Sequence, residues 1–150
     1  MLDDYTERIG AMDWKKQAVE DLKSHEFRRK GLDNIRRIVA ANQHTRKGFQ
    51  ETGTNTPQNW SDRQLDLVCE EGRLQLMYAA ADGLVRAVDD ALSTLTADER
   101  KVLDAFYIHR SQGHVPSLME ELGYEQRQIY KIKDRALYHF TVAMYGFSDF

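Results

Sequence analysis

At 150 residues, with 41% hydrophobic and 30% charged side chains, the chain has the size and balance of one folded domain. No apolar run nears the roughly 18 residues of a membrane-spanning helix, and Met1-Leu-Asp-Asp-Tyr5 lacks the basic start and apolar stretch of a secretion signal, so a cytoplasmic protein without membrane contact is expected. A single cysteine, Cys69, excludes an internal disulfide and a cysteine-rich zinc site, and a net charge of −3 excludes nucleic-acid binding by bulk charge alone.

With only Pro57 and Pro116 as prolines, the chain reads as all-α. Leu2, Tyr5, Ile9, Met12, Val19 and Leu22 recur mostly at three- and four-residue steps between charged residues, which predicts an amphipathic helix over 2–30. Gly31 marks an expected break, since a glycine inside a helix costs about 1 kcal/mol relative to alanine, and Leu32, Ile35, Ile38 and Val39 predict a shorter helix over 34–47. Arg28-Arg29-Lys30 with Arg36-Arg37 reads as a solvated face. The stretch 48–60, rich in Thr, Asn and Gly and carrying Pro57, has loop composition.

Beyond a cap at Ser61-Asp62, Leu74, Met77, Ala81, Leu84, Val88, Leu92 and Leu95 predict a helix over about 62–94, roughly 50 Å long at 1.5 Å per residue. Such a stripe needs a long partner, and Gly72, Ala79, Ala80, Gly83 and Ala87 would admit a close neighbour. A long antiparallel helical hairpin over 1–94 is therefore expected, within one chain or between subunits of a homodimer.

From Leu95 the punctuation tightens. Thr96-Ala-Asp-Glu99 is a capping box that opens a helix over 97–110, with Val102, Leu103, Phe106, Tyr107 and Ile108 as its apolar face. Pro116 and Gly123 bracket a short helix containing Leu118, Met119 and Leu122, and a third helix runs from about Glu125 to Tyr145. Its core face is Ile129, Ile132, Ala136, Leu137, Phe140, Val142 and Ala143, and the aromatics Phe106, Tyr107, Tyr138 and Phe140 are expected in the core.

A short helix, a glycine turn and a longer helix with a polar, cationic start over 95–150 is the pattern of a helix-turn-helix domain. Packing on Leu118, Leu122, Ile129 and Ile132 would leave Gln126, Arg127, Tyr130, Lys131 and Asp134 free to enter a major groove, where Gln pairs with adenine and Arg or Lys with guanine. Gln128, Lys133 and Arg135 are better placed for phosphates, and His139 would add a cation when protonated. His25, His44, His109, His114 and His139 are dispersed, and no phosphate loop or nucleophile elbow is present, so no enzymatic activity, metal or cofactor is expected.

The string Leu122-Gly-Tyr-Glu-Gln-Arg-Gln-Ile-Tyr-Lys-Ile-Lys-Asp-Arg-Ala-Leu137 resembles the recognition element of region 4 of bacterial sigma factors, and Leu95-Thr-Ala-Asp-Glu-Arg-Lys-Val-Leu-Asp-Ala-Phe-Tyr107 is similar to the helix preceding it. The whole layout resembles the phage and prophage late-gene regulators of the ArpU/RinA type, through 21–35, the Thr/Asn/Pro loop, Phe106-Tyr-Ile-His109 and Met144-Tyr-Gly146. That resemblance implies a promoter-acting regulator that binds double-stranded DNA and touches RNA polymerase, with Gln126, Arg127, Tyr130 and Lys131 reading bases and Gln128 beside the backbone. Gln126 and Tyr130 stand where sigma factors often carry arginine, so the sigma promoter element need not be the target. Two alternatives stay open: a polymerase-binding module that does not touch DNA, and an accessory protein of phage DNA packaging or recombination.

Overall fold

The computed structural model describes residues 13–51 and 62–148, and the side chains of 13–43 and 62–148. The protein is all-α, without strands among the described residues. Among the described residues five α-helices follow in order: α1 (Trp14–Glu51), α2 (Asp62–Ser93), α3 (Ala97–Leu103), α4 (His114–Leu122) and α5 (Gln126–Tyr145), with a π-helical turn over Asp104–Ile108 after α3. No described helix is long and apolar enough to cross a membrane.

Two compact units are present, and their limits differ from the expected division at 94/95. Residues 13–26 and 87–148 form one unit, and the middle of the chain from Phe27 to Arg86 forms the other. Shared burial explains the difference. Ala18 and Leu22 from α1, with Val88, Ala91 and Leu95, pack in one core with Leu103, Ala136, Leu137 and Phe140, so the outer ends of both long helices belong with the C-terminal helices.

The break expected at Gly31 is absent, because α1 is continuous through it. The apolar phase does not change there: buried Leu22 and His25 lead at steps of seven, three and four residues into Leu32, Ile35 and Val39. A Cβ at Gly31 would meet nothing, so the residue weakens the helix without redirecting it. The helix also runs to Glu51, past the expected loop start at Gly48. Leu2, Tyr5, Ile9, Met12, the rest of the expected loop and the cap at Ser61 lie outside the described residues.

In the middle unit the stripe on α2 keeps Leu74 and Ala81 as expected but departs from the expectation at Met77 and Leu84. Leu74 and Val85 are buried and Tyr78 and Ala81 half-buried, while Met77 and Leu84 are 51% and 45% exposed. Tyr78 turns inward because its hydroxyl accepts from Arg36 Nε at 2.8 Å and its ring lies under the same guanidinium, 5.4 Å from the centroid. The small residues Gly72, Ala79, Ala80 and Gly83 do not face α1 but solvent, and added Cβ atoms at both glycines would meet nothing. Leu76, 76% exposed, lies on this outer side as well.

In the other unit, Thr96 caps α3 by accepting from Glu99 N–H at 3.3 Å. The helix expected over 97–110 ends at Leu103 and widens into the π turn, closed by His109 N–H to Asp104 O at 2.7 Å. Consecutive apolar residues serve two cores: Leu103 joins the cluster around Phe140, while Val102 and Phe106, four residues apart, join Leu118, Ile129 and Ile132. Pro116 falls in the first turn of α4, where its missing N–H removes no helical bond.

Candidate nucleic-acid interface

Helix α4 ends at Gly123, whose φ of 73° is the left-handed conformation that glycine adopts without strain, and its N–H returns to Met119 O at 3.0 Å. Three residues, 123–125, then carry the chain into α5, with Glu125 extended at the cap and Gly146 closing the far end at φ 83°. The expected packing residues Leu118, Ile129 and Ile132 are buried together, with Leu122 half-buried against them.

Helix α5 divides into two faces. Ile129, Ile132, Ala136, Leu137, Phe140 and Thr141 are buried. Thr141 was not expected there; its hydroxyl is satisfied by donating to Leu137 O at 2.7 Å. Val142 is only half-buried, and Ala143 and Tyr138, also expected in the core, are exposed. Gln126, Arg127, Gln128, Tyr130, Lys131 and Asp134 are exposed as the spacing predicts, with Gln126, Arg127, Tyr130, Lys131 and Asp134 on one side of the helix. Arg127 and Lys131 make no ion pair among the described residues.

The two cations assigned to phosphates have a different setting. Lys133 is half-buried; its ammonium lies 5.9 Å from the Phe106 ring centroid and 5.6 Å from that of Tyr130, and it pairs with Asp134 at 3.0 Å. Tyr130 in turn meets Phe106 edge-to-face at 5.7 Å, so the base of the exposed face is braced by aromatic contact. Burial pushes the nearby Tyr107 phenol up, with the Lys133 charge acting against it. Arg135 Nε lies 3.9 Å from Glu99.

Glu99 is the residue whose role the sequence reading missed. Instead of only completing a capping box, its carboxylate is 3% exposed and turned toward α5, where it accepts from His139 Nδ1 at 2.8 Å and from the Thr96 hydroxyl at 3.1 Å. A signal was available: Glu99 falls in phase with Leu95, Val102 and Phe106, a stripe position where a charge is unusual and must find partners. Tyr124, in the turn, also ties back to α3 by donating to Asp98 at 3.2 Å.

Behind α3, on the side lined by Leu92, Ala97, Arg100, Lys101, Asp104 and Ile108, lies an open cleft of about 370 Å³. Lys101 pairs with Glu121 of α4, and Asp104 with His109. No family model, curated protein or solved structure matches the chain.

Proposed function

We propose that the protein is a sequence-specific DNA-binding transcription regulator of the phage late-gene type. Helices α4 and α5 act as a helix-turn-helix, and α5 enters the major groove of double-stranded DNA. The observation that carries this reading is the division of α5: one face is fixed in a core with α3 and α4, and the opposite one presents Gln126, Arg127, Tyr130 and Lys131, whose side chains pair with base edges. Gln128 sits beside the backbone. Lys133, paired with Asp134, is a secondary phosphate contact, and Arg135 lies beside the backbone with Glu99 as its acidic neighbour. The exposed side of α2 around Leu76 is the surface through which two copies would pair, giving a homodimer that matches a two-fold-related site.

The test is selection of purified protein against a pool of random duplexes at two salt concentrations. Enrichment of one motif supports the reading, and retention without a motif replaces it with an accessory DNA binder. A second reading, a module that binds RNA polymerase, is favoured by the cleft behind α3, whose apolar floor and Arg100 rim suit an acidic segment with an apolar anchor. Binding to polymerase with no retention of any duplex would establish it in place of the first.

A further inference from the structure

We infer that Glu99 is an internal competitor for DNA phosphate: it holds Arg135 back from the backbone and so lowers binding to non-target DNA. This rests on the DNA-binding reading above. A carboxylate that is 3% exposed must be compensated where it lies, and Glu99 has three partners for the purpose: the Thr96 hydroxyl, His139 and Arg135. Of these, Arg135 is the one that carries a permanent positive charge; its side chain is 54% exposed, and that of His139 47%.

Carboxylate and phosphate compete for the same guanidinium, because both offer paired anionic oxygens to its fork of donors. Moving Arg135 to a phosphate leaves the buried carboxylate without the cation 3.9 Å away, which cancels part of what the new contact contributes. Lys133 is restrained in a similar way by Asp134 and by the Phe106 and Tyr130 rings. Of the four cations between 127 and 135, the two that face bases, Arg127 and Lys131, are thus the ones without an acidic partner among the described residues. Non-specific affinity comes from neutralised phosphates, whereas base discrimination does not, so restraining the backbone cations raises the ratio of specific to non-specific binding.

The experiment measures affinity of the full chain for a random-sequence duplex between about 50 and 200 mM salt. Glu99→Gln keeps a hydrogen-bonding side chain for Thr96 and His139 but removes the charge. It is expected to steepen the slope of log affinity against log salt by about 0.9 and to tighten non-specific binding about fivefold at about 0.15 M salt, as one added phosphate contact requires. Adding Arg135→Gln to that variant is expected to restore the wild-type slope, and Arg135→Gln alone to leave it unchanged. A folded Glu99→Gln protein with the wild-type slope overturns the inference. So does a loss of about 0.9 in slope from Arg135→Gln alone, a readout that stands even if Glu99→Gln does not fold. Failure of wild-type protein to bind any duplex instead overturns the DNA-binding reading, and the inference with it.

Discussion

His109 returns to Asp104 twice, through its backbone N–H to the carbonyl at 2.7 Å and through Nδ1 to the carboxylate at 2.7 Å. The five-residue spacing is that of the π turn, which brings the two side chains to the same side. The other ring nitrogen lies 3.5 Å from Glu26 of α1. With a carboxylate at each end, the ring holds its proton to a higher pH than an ordinary histidine, through Asp104 first and Glu26 second.

A pH dependence of stability follows. The folded pKa lies above the unfolded value of about 6.5, so the contribution is fully present below about pH 6.5 and is lost as pH rises through the folded value. His109 is largely exposed, and solvent screening limits the effect to under about 1 kcal/mol. Thermal melts of wild type and His109→Gln should therefore differ more at about pH 6 than at about pH 8. Equal differences at both would remove the Asp104 and Glu26 charges as the cause.

Base reading and phosphate contact separate by substitution. Arg127 is exposed and without an ion pair among the described residues, so Arg127→Ala should leave the melting temperature unchanged while costing about 1–3 kcal/mol at the preferred site and relaxing base preference there. Lys133→Ala should weaken all duplexes about equally and also lower the melting temperature, because the stem leaves the Phe106 and Tyr130 rings. Equal losses on every sequence for both variants would contradict the assignment of Arg127.

Core substitutions in α5 should unfold rather than alter binding. Ile132 is 2% exposed among Val102, Phe106, Leu118 and Ile129, so Ile132→Ala should cost about 2–5 kcal/mol in a denaturant titration. Gly123→Ala tests the turn: nothing blocks a Cβ, but φ of 73° alone should cost about 1–2 kcal/mol. An unchanged midpoint for either would contradict the packing or the turn, respectively.

Pairing through α2 has its own test. Leu76→Glu places a charge on an apolar side chain that is 76% exposed. Sedimentation should show a dimer for wild type and a monomer for the variant at the same concentration, with unchanged helicity. A variant as dimeric as wild type would move the interface elsewhere.

The sequence made the all-α class and the two faces of α5 legible, because a 3.6-residue period resolves a helix face well when apolar and charged residues alternate as cleanly as they do from Gln126 to Phe140. It failed where neighbours compete for one position. Met77 and Tyr78, or Leu84 and Val85, are adjacent apolar pairs, and for the first pair the inward residue is the one held by Arg36, forty-two residues from Tyr78. Gly31 misled because its local cost is smaller than the gain from continuing an apolar phase. Glu99 was hidden because a cap residue and a buried carboxylate have the same local spelling; only the partners on α5 tell them apart.

The widened turn at Asp104–Ile108 also constrains chain length. Relative to an uninterrupted α-helix it accommodates one surplus residue, so excision of a single residue there could leave a regular helix in its place. Side chains on either side of the turn would then keep their directions, whereas insertion of a further residue would rotate those beyond it by about 100°. Deletion of one residue between 104 and 108 should accordingly be better tolerated than insertion of one, whereas an ordinary surface connection accepts either.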